Sequence, residues 1–274
     1  MSIARHTVSA CFNGPVGEKF LSVYYQPHST PKAHIVYIPP LGEEMNRCRA
    51  LVATQARQFA DAGYSCTVID LFGTGDSEGE LHQASLKQWY DNIELIIRSL
   101  LQQQDKPVHL WGLRLGGLLA LDFCAHSPVR VENIVLWQPV SSSKRFVTQL
   151  LRQRVASLVS RGLVAETTKE MRLRLKAGEN IEISGYIFGE KLLADIEAIS
   201  FADIGTLCSG NIEWFEHSSE AGQELGASAK KMTESLVAQG NKVEILEFFD
   251  PPLWQLHKRD HAPQLIERTG KLYP

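Results

Sequence analysis

The apolar run Val108-His109-Leu110-Trp111 leads directly into Gly112-Leu113-Arg114-Leu115-Gly116-Gly117, and the apolar residues that follow continue at helical spacing. A strand that enters a helix through so short a turn forces its central residue toward positive φ. The flanking glycines let strand and helix pack closely around that residue. The spacing is that of the G-x-S-x-G nucleophile elbow, with Arg114 where the serine stands. A guanidinium stays protonated in proteins, so it neither attacks a carbonyl nor takes up a proton, but it offers five donors to an anion. The geometry of a nucleophile site is therefore expected here without its chemistry.

Around this elbow the hydrophobic pattern switches between two periods. Residues 8 to 25 alternate loosely about Gly14-Pro15-Val16-Gly17, predicting an opening antiparallel hairpin with its second strand at 19 to 25. Strands are then predicted at 34–38, 65–70, 108–111, 133–137, 211–216 and 242–249. Helices are predicted at 46–61, 85–103, 115–126, 227–239 and 261–269. Such alternation implies an α/β fold, a mostly parallel twisted sheet with helices on both faces. The register fails over 141–200, where helical spacing occurs without strands. This stretch is read as a helical cap inserted into a core made of 1–140 and 201–274.

Composition narrows the function classes. A chain of 274 residues with 44% hydrophobic and 22% charged residues can bury the core of one such domain. A net charge of −3 gives no preference for nucleic acid, and none is expected as a partner. The five cysteines, Cys11, Cys48, Cys66, Cys124 and Cys208, lack C-x-x-C spacing, so neither a disulfide framework nor a metal site is expected, and no cofactor motif is found. Met1 to His6 hold no apolar core of signal-peptide length, so the expected compartment is the cytoplasm.

Residues 35 to 80 run in register with the oxyanion loop, helix, strand and glycine loop of α/β-hydrolases, and resemble the serine-aminopeptidase and monoglyceride-lipase-like branch. Two departures from that branch are specific: Pro39-Pro40 replaces His-Gly, and Arg114 replaces serine. With Glu43-Glu44-Met45-Asn46, Trp137-Gln138-Pro139-Val140, Lys144-Arg145-Phe146 and Ser184-Gly185-Tyr186, these departures resemble the exosortase A system-associated hydrolase 2 family. The resemblance implies an α/β-hydrolase fold. It also implies a bacterial protein encoded with exosortase and exopolysaccharide machinery, whose components are its expected partners.

In that fold the loop after the strand at 34–38 supplies one oxyanion N–H and the residue after the nucleophile supplies the other, which map to Leu41 and Leu115. Glu43, Glu44 and Asn46 share the loop. A buried Arg114 would need a carboxylate, and one of Glu43 and Glu44 is the expected partner, with Glu44 favoured; the alternative is that Arg114 reaches solvent. Leu41, Glu43, Glu44, Asn46, Arg114 and Leu115 are thus the candidate ligand-binding residues. Asp70 to Gly79 lack the lysine of a phosphate loop and match the structural D-x-x-G-x-G-x-S turn, with Ser77 as a turn residue. The triad acid position falls at Glu216 or Glu220. Trp254 stands nearest the histidine slot, while His257 and His261 come late.

Between residues 144 and 176, Lys144, Arg145, Arg152, Arg154, Arg161, Lys169, Arg172, Arg174 and Lys176 face only Glu166 and Glu170. Val147, Leu150, Leu151, Val155, Leu158 and Val159 form an apolar stripe among them. A solvated face and a weak peripheral contact with an anionic membrane are both open. The expected function is binding of a small anionic or acyl ligand, with hydrolase activity lost or altered. One alternative is a hydrolase that uses a serine among Ser141 to Ser143 or a water held by Glu44. The other is a scaffold docking through its basic cap.

Overall fold

A computed structural model describes residues 6–202, 204–252, 254–255 and 261–274. The chain opens with β1 (His6–Asn13) and β2 (Phe20–Pro27), then runs β3 (His34–Ile38), α1 (Glu43–Asp61), β4 (Ser65–Ile69), α2 (Leu86–Gln103), β5 (Val108–Leu113), α3 (Leu115–His126) and β6 (Asn133–Trp137). After β6 come α4 (Ser143–Ser160), α5 (Thr168–Lys176), β7 (Ile181–Ile183), β8 (Tyr186–Phe188) and α6 (Glu190–Ala198). The chain closes with β9 (Asn211–His217), α7 (Ala227–Ala238), β10 (Lys242–Phe248) and α8 (Pro263–Leu272).

Eight strands form one sheet in the order β1-β2-β4-β3-β5-β6-β9-β10. The β1–β2 and β2–β4 pairs are antiparallel and all the others are parallel. The parallel strands β3, β5 and β6 are buried along nearly their whole length, which is why they read as unbroken apolar runs rather than alternating ones. One face of the sheet packs against α2 and α3. The other packs against α1 and α8, with Trp111, Trp137, Phe215 and Phe248 at its centre.

Two boundaries differ from the sequence reading. The helix expected at 46 begins at Glu43, because Gly42 at φ 62 turns the chain sharply one residue earlier and two glutamates in the first turn suit the positive end of the helix dipole. Glu43, Glu44 and Asn46 therefore lie on a helix rather than in a loop. The stretch between β6 and β9 is also not purely helical. Ile181 and Ile183 are buried on either side of exposed Glu182, and positive φ at Ser184 (52°) and Gly185 (87°) closes a two-residue hairpin between β7 and β8. Phe146, Val147, Leu151, Met171, Leu175 and Leu192 from this stretch join the same core as α2 and α3, while Val159 of the predicted stripe is 62% exposed.

The elbow depends on absent side chains. A Cβ on Gly116 would lie 2.0 Å from the Ile38 carbonyl oxygen, and one on Gly112 would lie 2.5 Å from that of Gly116. No helix among the described residues is long and apolar enough to cross a membrane.

Candidate functional site

Arg114 follows β5 and caps α3 at φ 55 and ψ −118. Its N–H donates to the Trp137 carbonyl at 3.0 Å, and its own carbonyl accepts from Val140 at 3.0 Å and Gly117 at 3.1 Å. These bonds hold a conformation that costs a non-glycine residue about 1–3 kcal/mol. Gln138, which follows β6 at φ 43, is strained in the same way directly beside it.

The guanidinium is held on three sides. Nε donates to Glu44 Oε1 at 3.2 Å, Nη1 donates to the Gln138 carbonyl at 3.3 Å, and the Trp254 ring centroid lies 5.4 Å from Cζ. The Arg114 and Glu44 side chains are 17% and 19% exposed, so the alternative of an arginine reaching solvent is not what the structure shows. Helix α1 turns Glu44 toward Arg114 and Glu43 away from it. Glu44 Oε2 is buried and has no hydrogen-bond partner. Burial pushes the Glu44 carboxyl above its ordinary value, against the opposing pull of Arg114 and Arg47. Desolvation outweighs attraction because only one of the two carboxyl oxygens meets a cation.

Leu41 and Leu115 are buried at the turn before α1 and the start of α3. Neither backbone N–H meets an acceptor among the described residues. Tyr186 of β8 covers this turn. Its ring lies 3.5 Å from where a Gly42 Cβ would stand, its hydroxyl donates to Glu43 Oε1 at 3.3 Å, and Asn46 Nδ2 donates to that hydroxyl at 2.7 Å. Glu43 and Asn46 thus face Tyr186 rather than the guanidinium. Burial and the Glu43 carboxylate both raise the Tyr186 phenol.

Glu216 and Glu220 separate clearly. Glu216 accepts from Trp214 Nε1 at 2.7 Å and from Gln138 Nε2 at 3.0 Å, which joins it to Arg114 through Gln138; Glu220 is exposed in the loop after β9. Trp254 is 5% exposed, packs edge-on against His217 and Phe248, and accepts from Arg47 Nη1 through its carbonyl at 3.2 Å. His257 lies outside the described residues, and His261 is exposed just before α8. Sequence reasoning missed Gln138, His217 and Tyr186 as neighbours of this site. The positive-φ residue after β6 and the Ser184-Gly185-Tyr186 turn were the available signals.

Three other candidates have structural tasks. Asp70 Oδ2 accepts from Arg49 at 2.8 Å and from the Asp76 N–H at 3.1 Å, while the Ser77 hydroxyl donates to the Asp70 carbonyl at 2.6 Å and accepts from Leu21 at 2.9 Å. Ser142 caps α4, and buried Ser143 donates to the Ile199 carbonyl at 3.2 Å. With Ser141 they line a cleft of about 690 Å³ beside α7, and a second cleft of about 730 Å³ lies between α2, α3 and α6; Arg114 lines neither. Of the basic residues at 144–176, Arg154 pairs with Glu166 and Glu182, Arg172 grips Glu197 with both terminal nitrogens at 2.6 and 2.7 Å, and Arg174 pairs with Glu166 and Glu179. Glu182 and Glu197 lie outside the basic window, on elements that folding brings alongside. Among the described residues no group of three or more metal-binding side chains is assembled.

Similarity to known proteins agrees with this architecture. Over 102 residues the chain is 30% identical to the human mitochondrial palmitoyl-protein thioesterase ABHD10, a match that spans 37% of this chain and only 31% of that protein. Est1E from Butyrivibrio proteoclasticus, solved with ferulic acid, superposes with a TM-score of 0.68 at 11% identity over 96% of this chain and 97% of its own. A thermostable carboxyl esterase from Bacillus coagulans does so with a TM-score of 0.63 at 13% identity, over 97% of each chain. The fold is the α/β-hydrolase fold. Residues 29–241 match the family described as serine aminopeptidase, S33 (Hydrolase_4), and the chain belongs to that α/β-hydrolase family.

Proposed function

We propose that the chain binds a small anionic or acyl ligand at Arg114, which occupies the nucleophile position of the fold, and that ordinary serine hydrolysis is lost or altered. The observation that carries this reading is the strained turn at Arg114, which presents a paired, permanently charged guanidinium where the fold normally presents a nucleophile. The unpartnered Leu41 and Leu115 N–H groups supply two further donors for an anion or a carbonyl oxygen. Trp254, which stands nearest the histidine slot in the sequence, sets its ring over the guanidinium, and its face favours a cation over a proton shuttle.

The setting follows from the motifs. The proline pair, the Glu-Glu-Met-Asn stretch and the Gly-Leu-Arg-Leu-Gly elbow support membership of the exosortase A system-associated hydrolase 2 type, hence a bacterial cytoplasmic role beside exopolysaccharide handling. The thioesterase and esterases of similar fold act on or hold acyl compounds by their names, which favours a carboxylate or acyl group over other anions. Calorimetric titration with simple carboxylates, run beside an esterase assay on p-nitrophenyl acetate, tests the reading. Saturable binding that Arg114→Met abolishes, with no turnover, is the expected result. Turnover that survives Arg114→Met would overturn it.

A further inference from the structure

We infer that the Arg114 site takes its ligand as a monoanionic carboxylate together with one proton, which Glu44 accepts on Oε2. The inference rests on the anion-binding reading above and deepens it.

The charge balance of the pocket leads to this. Arg114 and Glu44 together are neutral, and both side chains are more than four-fifths buried. A carboxylate arriving at the guanidinium sets a second anion beside Glu44 in a poorly hydrated space; Arg47 also attracts Glu44 but donates to the Trp254 carbonyl, so Arg114 is the cation the two carboxylates share and they cannot both remain ionised cheaply. Glu44 can resolve the conflict without moving. Its Oε1 holds Arg114 Nε at 3.2 Å, while its Oε2 is buried with no partner, so a proton placed on Oε2 leaves the existing bond intact. Among Arg114, the ligand and Glu44 the bound state is then cation, anion and neutral acid, with the same net charge as the unliganded pair.

The neighbours leave Glu44 as the group that titrates. On α1 it is faced by Arg47 and Cys48, on β3 by Tyr37, and from the elbow by Arg114. A guanidinium is not a proton acceptor in a protein. Burial pushes the Cys48 thiol up to about 12 and the Tyr37 phenol well above its usual range, so both stay neutral. His217 meets the Trp254 ring at 6.1 Å rather than the carboxyl itself. Desolvation has already raised the Glu44 carboxyl, and a second anion raises it further. A dianion such as hydrogen phosphate would leave one charge uncompensated at a single shared guanidinium. The buried side chains of Leu41, Leu115 and Trp254 also suit an acid with an apolar body.

The test is calorimetric titration of the whole chain with benzoate and with inorganic phosphate, between about pH 5.5 and 8, where benzoate stays ionised, in two buffers of different ionisation heat. Benzoate affinity is expected to rise as pH falls, toward about tenfold per unit at the alkaline end, with close to one proton taken up per molecule bound. Phosphate should bind more weakly than benzoate at the alkaline end of the range, where it is mostly a dianion. Glu44→Gln keeps the shape and the acceptor for Arg114 Nε, and should bind benzoate with affinity independent of pH and no proton uptake; its thermal unfolding curve confirms that it folds. Benzoate binding to the wild type that Arg114→Met abolishes but that takes up no proton would overturn the inference and leave the anion site standing. Equal uptake in wild type and Glu44→Gln would also overturn it, assigning the proton elsewhere. If neither anion binds at any pH, the anion site itself is refuted.

Discussion

Arg114 Nε and Glu44 Oε1 lie 3.2 Å apart across 70 residues of sequence, and the pair uses only half of the carboxylate. The contact ties the turn after β5 to the first turn of α1, so it is at once a support for the fold and the charged floor of the candidate site.

That pair should show energetic coupling. Arg114→Met leaves a largely buried carboxylate without its cation, and Glu44→Leu leaves the reverse, each at a cost of about 3 kcal/mol. The double variant should be more stable than the sum of the two losses by about 1–3 kcal/mol in urea denaturation. Strict additivity would show that the contact carries no coupling.

A serine at position 114 should not by itself create an esterase. Arg114→Ser creates a hydroxyl beside Trp254 with no base to take its proton, so hydrolysis of p-nitrophenyl acetate should stay near background. Adding Trp254→His should raise kcat/KM by about a hundredfold over Arg114→Ser, the lower end of what a positioned general base contributes. An equal rate for the single and double variants would mean that residue 254 does not stand at the base position.

A second buried carboxylate makes stability depend on pH. Glu213 in β9 is 5% exposed, its Oε2 has no partner, and burial pushes its carboxyl up to about 7. The folded state therefore holds this proton more tightly than the unfolded chain does. Its stabilising contribution is full below the ordinary glutamate value and is lost as pH rises through about 7. Between about pH 5 and 8 the wild type should lose about 2–3 kcal/mol from this group, whereas Glu213→Gln should show a flatter profile. Parallel profiles from chemical denaturation would remove Glu213 as the cause.

Gly116 should tolerate no side chain. A Cβ there would stand 2.0 Å from the Ile38 carbonyl oxygen, and backbone cannot give way as a flexible side chain does. Gly116→Ala should cost more than about 3 kcal/mol or prevent folding, well beyond the usual effect of a substitution. Gly226→Ala, at an ordinary φ of −55 with no atom within 4 Å, should change the midpoint of unfolding only slightly. Similar thermal midpoints for both variants would mean that α3 and β3 are not held this closely.

Much of the architecture was legible because the elements are locally encoded. Buried parallel strands demand unbroken apolar runs, and each of β3, β5 and β6 is such a run. The β7–β8 hairpin escaped because three residues per strand are too few to show a period of two. The start of α1 was placed late because Gly42 ends the loop before the apolar spacing begins.

By itself the sequence determined the order of elements, the tight turn at Arg114, and the permanent cation that this turn carries. Each of these follows from residue type and near-neighbour spacing. The tertiary structure alone decided that Glu44 and not Glu43 meets Arg114, since adjacent helix residues point about 100° apart and only the docking of α1 selects the phase. It alone placed Glu216 rather than Glu220 beside Gln138, stacked Trp254 on the guanidinium, and committed Arg154, Arg172 and Arg174 to carboxylates from other elements. Those outcomes depend on which distant groups share a low-dielectric space, and that is set by the packing of the whole sheet and its helices rather than by any local pattern.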